Sequence, residues 1–219
     1  MPRWPQSARN VHIGIDFDNT IVCYDGVFHA AALERGLITR EVAADKTAVR
    51  DCLRAAGRED DWTELQGYVY GMRMALASLY PGVVAFIRAA RAAGAQVSIV
   101  SHKTRWPYRG AQCDLHAAAH RFLDDHGFFD PARVGLVAQS TFFEVTKEEK
   151  LARIGRVGCT HFVDDLPEFL AEPDFPKRTQ RILFDPGNRY PNEDKRILRA
   201  GSWHDIGARL LDASASADD

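Results

Sequence analysis

The stretch VHIGIDFDNT, residues 11–20, joins a short apolar segment to a run of acidic and polar residues. Residues 11–15 have the composition of a short buried β-strand. Asp16 and Asp18 follow at once, although acidic residues are poor strand formers. One interpretation is a polar turn that ends a strand, because Asp and Asn favour turns. The other is a functional site built at the carboxyl end of that strand.

Composition restricts the class of protein. The chain has 219 residues, of which 46% are hydrophobic and 26% charged, with a formal net charge of -2. These values predict one globular domain, or one domain with a sizeable insertion. The nearly neutral charge argues against a nucleic-acid polymer as partner, since such proteins carry a net basic face. The composition does not indicate an oligomeric state.

The predicted cellular compartment rests on sequence features that the chain lacks. No apolar run approaches the ~20 residues that are needed to cross a bilayer, so no membrane partner is expected. The first residues lack the apolar core of a secretory signal, and the four cysteines are scattered without a CxxC pair. We therefore predict a protein of the reducing cytoplasm.

Strand and helix patterns alternate along most of the chain. Further strand candidates are AQVSIVS, RVGLV, STFFEV, THFV and RILFD, and helical patterns lie between most of them. The helix that begins in TKEEKLARIGRVG has Thr146 as its N-cap and Glu149 three residues later, which completes a capping box. The alternation predicts an α/β, Rossmann-like fold, with a parallel sheet covered by helices on both faces.

The domain prediction depends on one long interruption of this alternation. From about Val27 to Leu79 the apolar spacing predicts three helices with no strand between them. We therefore predict a helical cap, residues 23–79, inserted after the first strand. The core would comprise residues 9–22 and 80–212, and the small polar residues 213–219 would form a disordered tail.

Chemistry-bearing residues follow the predicted strands. Ligands of parallel sheets bind at the carboxyl ends of the strands, where Asp16, Ser101 and the pair Asp164-Asp165 would lie. Clustered carboxylates repel one another, so a cation is expected among them, and oxygen ligands favour Mg²⁺. A carboxylate can also act as a nucleophile and form an aspartyl-phosphate, which a second acid assists by moving protons.

These residues resemble the four motifs of the haloacid dehalogenase superfamily, in family order. The stretch DFDNT resembles the first motif, DxDxT, and Ser101 after VSIV resembles the second. A lysine at the start of a helix resembles the third motif, and Asp164-Asp165 after THFV resembles the fourth. The resemblance extends from Val11 to about Glu168, which is most of the chain.

The resemblance implies a role for each matching residue. Asp16 would be the nucleophile and, through its other oxygen, a Mg²⁺ ligand. Asp18 would be the general acid and base, with its backbone carbonyl also on the metal. Thr20 would orient the loop for substrate binding, and Ser101 would hydrogen-bond the transferring phosphoryl group.

The remaining metal ligands and the catalytic lysine are also implied by the resemblance. Asp165, together with Asp164, would bind Mg²⁺. Lys147 and Lys150 both qualify as the motif lysine, and we favour Lys147 because it directly follows the cap residue Thr146. Lys150 lies about one helical turn further along the helix. The alternative interpretation of Lys150 is a solvated surface charge.

Substrate contacts are predicted from one cationic loop and from one arginine of the predicted cap. The loop HKTRWPYRG leaves Ser101 directly and carries His102, Lys103 and Arg105 beside aromatic residues. Arg73 lies at helical spacing in the predicted cap. We expect these side chains to contact an anionic or ring-bearing substrate, although a solvated loop and a packed helix are the alternatives.

The resemblance and Asp18 together predict the reaction. True dehalogenases of the family lack the second acid, because a halide leaving group needs no proton. The cap resembles the C1 type, which closes over small substrates. We therefore predict a Mg²⁺-dependent phosphatase that acts on a small phosphorylated metabolite, such as a sugar phosphate or a nucleoside monophosphate. A phosphomutase or phosphotransferase and a non-catalytic metabolite-binding protein are the alternatives.

Overall fold

The computed structural model describes residues 10–191 and 194–215 and has an α/β, Rossmann-like fold. The strands are β1 His12–Ile15, β2 Val22–Cys23, β3 Ser78–Leu79, β4 Gln96–His102, β5 Thr141–Glu144, β6 His161–Asp164, β7 Gln180–Phe184 and β8 Ile197–Ala200. The helices are α1 Asp25–Glu34, α2 Lys46–Ala55, α3 Glu59–Tyr70, α4 Val83–Ala92, α5 Leu115–Asp125, α6 Lys147–Val157, α7 Pro167–Leu170 and α8 Trp203–Ala215. None of these described helices is both long and apolar enough to cross a membrane.

Six strands form one parallel sheet in the order β5-β4-β1-β6-β7-β8. β1 lies between β4 and β6, and its residues Ile13 and Ile15 are fully buried. Gly14 permits this packing, because a β-carbon there would lie 2.5 Å from the ring of Phe162. The strand that precedes the DFDNT stretch is therefore central in the sheet and covered on both faces.

The contacts divide the chain into two compact units. The first contains the six-stranded sheet and comprises 10–21, 80–102 and the described residues from 129 onward. The second comprises Val22–Leu79 and Lys103–Phe128, and it includes β2, β3, α1, α2, α3 and α5. The three helices predicted between Val27 and Leu79 are all present in this unit.

The observed division differs from the predicted one at residues 103–128, which we had placed in the core. Within the second unit, α5 packs against α3 and against the short 3₁₀ helix Met74–Leu76. The loop before α5 is seated in the same unit, because Pro107 fills the space above Gly67, where a β-carbon would come within 2.7 Å of its ring. Apolar packing thus groups this segment with helices that are distant in sequence.

The capping box predicted at the start of α6 is present. The hydroxyl of Thr146 accepts the N–H of Glu149, and the carboxylate of Glu149 accepts the N–H of Thr146, each at 3.1 Å. The buried residues of this helix are Lys150, Leu151 and Ile154. The box fixes the first residue of the helix immediately after β5, and with it the position of both candidate lysines.

Three other expectations need correction. The segment RVGLV is not a strand, because Gly135 has a φ of +71° and the chain turns there. β8 was not predicted. The last helix continues to Ala215, past the predicted start of the tail at residue 213, and residues 216–219 lie outside the described part of the chain.

Candidate active site

The first unit brings together side chains at the carboxyl ends of three strands. Asp16 comes directly after β1, and its N–H donates to the carbonyl of Val163 at 2.9 Å. Asp164 is the last residue of β6, and Ser101 lies near the end of β4. All three residues are buried, at 4% exposed or less. The site predicted at the carboxyl edge of the sheet is therefore assembled by neighbouring strands.

The spacing of the two acids follows from the turn they occupy. Phe17 is fully buried, with its ring 5.4 Å from that of Phe143 in an edge-to-face contact. The N–H of Ile21 donates to the carbonyl of Phe17 at 3.1 Å and closes the turn. Because Phe17 points into the core, Asp16 and Asp18 on either side of it are close enough to interact electrostatically.

Asn19 has a left-handed backbone, with a φ of +58°. Asn19 is a polar member of DFDNT that carries no predicted role, and its conformation explains its identity. Asn is enriched in this region of backbone space because its short polar side chain tolerates the crowding that a β-carbon causes there. The turn that places the two acids therefore requires, at position 19, a residue that tolerates a left-handed backbone.

Replacing Asn19 tests this conformational requirement. We expect Asn19→Val to lower the free energy of unfolding by roughly 1–2 kcal/mol, because a β-branched side chain clashes with the left-handed backbone. Asn19→Gly is the matched control and should retain wild-type stability. Urea unfolding of both variants measures the effect, and equal stabilities would contradict it.

Lys150 is buried between two carboxylates. Its ammonium group donates to Asp16 Oδ1 and to Asp164 Oδ2, each at 2.6 Å, and the residue is 3% exposed. The same nitrogen lies 4.1 Å from the ring centre of Phe169 and 5.5 Å from that of Phe162. These aromatic contacts were not predicted, and they hold the ammonium group at the carboxyl edge.

Our preference for Lys147 as the lysine of the site is not supported by the structure. Lys147 Nζ pairs with Glu172 Oε1 at 2.6 Å, and its side chain is 44% exposed. Lys150 lies on the buried face of α6 with Leu151 and Ile154, and helical side chains point back toward the N-terminus of their helix. The lysine one turn into the helix therefore reaches the sheet edge. A lysine at an apolar-face position was the sequence signal that we did not use.

Burial and charge act on these groups in opposite directions. Burial raises the pKa of Asp16 to about 7, the neighbouring carboxylates of Asp164 and Asp18 add to this, and Lys150 opposes it. Burial alone would lower the pKa of Lys150, but the carboxylates of Asp16 and Asp164 raise it above its ordinary value. Lys150 therefore stays charged, and the site holds more negative than positive charge when Asp16 is ionised.

The described residues include one group of carboxylates suited to a metal ion. Oxygen atoms of Asp16, Asp164 and Asp165 lie within 4.8 Å of one another. Lys150 balances only one of these negative charges through its two hydrogen bonds. The oxygen ligands and the excess negative charge fit a hard divalent cation such as Mg²⁺.

The raised pKa of Asp16 predicts how binding of Mg²⁺ depends on pH. The protonated carboxyl group is a poor ligand, so affinity should fall as the pH drops through about 7. We expect the dissociation constant to be about tenfold larger at pH 6 than at pH 8, the ratio for one proton bound near pH 7. Isothermal titration calorimetry at the two pH values measures it, with an exposed-carboxylate variant, Asp174→Asn, as control. Equal affinities would contradict the assignment.

Two buried hydroxyl groups near the acids lack a hydrogen-bond partner among the described residues. They are Ser101 Oγ and Thr20 Oγ1, on residues 1% and 0% exposed. The backbone carbonyl of Thr20 is used, because it accepts from Trp203 Nε1 at 3.2 Å. Buried hydroxyls nearly always have partners, so the site has unused donors for a ligand.

The other predicted substrate-binding residues have contacts within their own units. In the first unit, His102 Nε2 lies 3.1 Å from the carbonyl oxygen of Val145. In the second unit, the ammonium group of Lys103 lies 4.5 Å from the ring centre of Tyr70, and Arg105 pairs with Asp114 at 3.0 Å. Arg73, also in the second unit, pairs with Glu34 and donates to the hydroxyl of Tyr68 at 2.6 Å. Their contact with a substrate stays a prediction.

Comparison with known proteins identifies the fold. No protein-family model matches the chain, and no curated protein matches it in sequence. A HAD family hydrolase from Deinococcus radiodurans, solved with bound phosphate and sodium, is 16% identical, with a TM-score of 0.54 over 97% of this chain and 98% of its own. A HAD-superfamily hydrolase from Ehrlichia chaffeensis is 11% identical, with a TM-score of 0.53 over 96% and 98%.

Two further structures show the same likeness. A HAD hydrolase from Bacillus subtilis, solved bound to magnesium, is 12% identical, with a TM-score of 0.52 over 95% of this chain and 99% of its own. A dehalogenase is 13% identical, with a TM-score of 0.54 over 92% and 97%. The chain therefore has the fold of the haloacid dehalogenase superfamily, as the four motifs predict. At these identities the likeness describes the fold and not the reaction.

Proposed function

We propose that this protein is a Mg²⁺-dependent phosphatase that hydrolyses a small phosphomonoester through an aspartyl-phosphate. The observation that carries the proposal is the buried group at the carboxyl edge, in which Lys150 bridges Asp16 and Asp164. Ser101 supplies an unused hydroxyl beside it, and Asp165 supplies a further carboxylate. This set provides a nucleophile, metal ligands and groups that offset the charge of a phosphoryl group.

The metal in this proposal is Mg²⁺, which the side chains of Asp16, Asp164 and Asp165 and the backbone carbonyl of Asp18 would hold. A bound Mg²⁺ would offset the charge of the phosphoryl oxygens and orient them. The cluster of carboxylates supports it, and so does the magnesium bound to the similar hydrolase from Bacillus subtilis. The phosphate bound to the hydrolase from Deinococcus radiodurans supports the substrate class.

In the first step a carboxylate oxygen of Asp16 attacks phosphorus, and the bond from phosphorus to the leaving oxygen breaks. Asp18 gives its proton to that oxygen, so the product leaves as an alcohol. In the second step Asp18 takes a proton from water, whose oxygen attacks phosphorus and releases phosphate from Asp16. Ser101 donates to a phosphoryl oxygen, and Lys150 stabilises the negative charge in both steps.

Asp18 favours phosphate ester hydrolysis over dehalogenation. A halide leaves without a proton, whereas an alkoxide needs one, and the fold is shared with a dehalogenase. Asp18 is half-buried and interacts with Asp16, which suits a group that moves protons beside the nucleophile. We therefore propose the phosphatase branch, with residues 23–79 as a helical cap of the C1 type.

The proposed substrate is a small phosphorylated metabolite of the cytoplasm, such as a sugar phosphate or a nucleoside monophosphate. Thr20, His102, Lys103 and Arg105 are our candidates for binding it. Arg73 is the weakest candidate, because its guanidinium is already engaged by Glu34 and Tyr68.

A panel of phosphomonoesters tests the proposal. We expect phosphate release from at least one member with Mg²⁺ present, and none after the metal is removed by a chelator. A parallel series with an added sugar acceptor distinguishes hydrolysis from phosphoryl transfer, since a transferase would form a new ester instead of phosphate. A panel of haloacids serves as the control for dehalogenation. Halide release, or no turnover of any compound, would contradict the proposal.

A further inference from the structure

A cluster of arginines lies on the first unit, away from the carboxyl edge. α4 carries Arg88 and Arg91, and the turn after residue 129 carries Arg133. The three side chains line one surface concavity of about 270 Å³, and no acidic residue is among the residues that line it. Among the described residues, no acidic side chain forms an ion pair with any of the three guanidinium groups. Three positive charges thus share one concavity without a counter-charge.

Arg91 is held in place by the backbone around it. Its Nη1 donates to the carbonyl of Val134 at 2.6 Å. Gly135 follows with a φ of +71°, and a β-carbon there would come within 2.6 Å of the same nitrogen. The left-handed backbone at position 135 favours glycine, and the hydrogen bond to Val134 holds the Arg91 guanidinium beside the concavity.

Arg133 is presented by a structured turn. The N–H of Arg133 donates to the carbonyl of Asp130 at 3.0 Å, and the carboxylate of Asp130 accepts the N–H of Ala132 at 2.8 Å. The carboxylate of Asp130, the acid nearest to Arg133 in the sequence, therefore accepts a hydrogen bond from the backbone of the turn. Arg133 is exposed beside the concavity.

The arginines are not needed to cap α4. The carbonyls of Ala89, Ala90 and Arg91 accept the N–H groups of Ala93, Ala95 and Gly94. Arg88 and Arg91 are three residues apart on one helical face, where like charges repel one another. An anion bound in the concavity would remove this repulsion. Anion binding therefore accounts for the cluster of arginines, which helix stability does not.

We propose that Arg88, Arg91 and Arg133 form a binding site for a phosphate group, either free phosphate or that of a small phosphorylated compound. Guanidinium groups match phosphate oxygens with paired hydrogen bonds, and three of them suit a dianion. The site lies beyond the start of β4, whereas Ser101 lies near its end, so about 17 Å of strand separates it from the carboxyl edge. It is a second site on the core, and it does not depend on the reaction proposed above.

The test measures binding at this site alone. Inorganic phosphate is titrated into the full-length protein at low ionic strength with Mg²⁺ removed, and the backbone amide signals of Arg133, Val134 and Gly135 are followed by NMR. A second titration with phenyl phosphate distinguishes free phosphate from a phosphomonoester. We expect saturable shifts of these amides with at least one probe.

Variants decide which residues bind. Arg88→Gln combined with Arg133→Gln should weaken the affinity at least about tenfold, since each replacement removes a charge-assisted hydrogen bond. Arg156→Gln changes an exposed helical arginine elsewhere on the unit and should leave the affinity unchanged. Absence of saturable shifts, or equal affinities in both variants, would overturn the proposal. Binding of a single-stranded oligonucleotide but of neither phosphate probe would overturn it in favour of a nucleic-acid surface.

Discussion

Replacing Asp16 with asparagine is expected to abolish hydrolysis of phosphomonoesters while leaving the protein folded. An amide cannot form the acyl phosphate, so turnover should fall by a factor of at least about 10⁴, to the level of a protein without its nucleophile. The fold should persist, because Lys150 keeps its hydrogen bond to Asp164 at 2.6 Å. The expected loss is therefore one of chemistry and not of structure.

Initial rates on the best substrate of the panel measure this effect, and circular dichroism with urea unfolding establishes that the variant is folded. Asp174→Asn, which changes an exposed aspartate, is the matched control and should retain wild-type rates. Phosphate trapped on the wild-type protein by rapid acid quench should be absent from Asp16→Asn. Undiminished turnover of the folded variant would show that Asp16 is not the nucleophile.

The second large effect is expected at Lys150. Lys150→Met leaves the carboxylates of Asp16 and Asp164 buried without their ammonium partner. Removing one member of a buried ion pair costs about 3–5 kcal/mol of stability, although protonation of Asp16 reduces that cost. Turnover should fall by about 10²–10³, the effect of losing one group that stabilises charge in the transition state.

Lys147→Met is the control that the chain itself provides. This lysine lies three residues away on the same helix and pairs with Glu172, with a side chain 44% exposed. We expect a change in stability of at most about 1 kcal/mol and little change in turnover, as for other exposed ion pairs. A larger loss of activity in Lys147→Met than in Lys150→Met would restore our original choice of lysine.

A double variant separates the two roles of Lys150. Lys150→Met combined with Asp16→Asn leaves one buried carboxylate instead of two, so stability should return toward the wild-type value. Turnover should stay at the level of Asp16→Asn, because the nucleophile is absent. Urea unfolding of the single and double variants measures the coupling between the two residues. Equal destabilisation by Lys150→Met with and without Asp16 would contradict the buried charge pair.

Local sequence patterns were sufficient for the fold and for much of the candidate site. β1, β4, β6 and β7 are short apolar runs of parallel strands, and such runs are visible without knowledge of their neighbours. The capping box at Thr146 is a contact between residues three apart, so it was also predictable. In a parallel sheet the carboxyl ends share one edge, which places Asp16, Ser101 and Asp164 together once the strands are known.

The choice between Lys147 and Lys150, in contrast, did not follow from local sequence patterns. Both residues lie at the start of the same helix, and proximity to the cap favoured Lys147, whereas the structure places Lys150 between the carboxylates. The answer depends on how α6 is rotated against the sheet, which the packing of Leu151 and Ile154 sets. The aromatic rings of Phe162 and Phe169 that surround Lys150 likewise come from elements distant in sequence.

The grouping of residues 103–128 was also decided by packing. Their sequence predicts a loop and a helix, and it does so correctly for α5. It does not say which surface the helix covers. Contacts with α3, with Met74–Leu76 and at Gly67 place the segment in the second unit.

The stretch DFDNT shows which properties are determined by the local sequence and which by the tertiary structure. By itself the sequence determined that a strand ends in a pair of acids with an asparagine after them, because these are properties of adjacent residues. Only the tertiary structure decided that Asp16 is buried against Lys150 and Asp164, and that Asn19 has the left-handed backbone its place in the turn requires. Burial and the pKa of a carboxylate depend on all the groups that surround it, and those groups come from the whole chain.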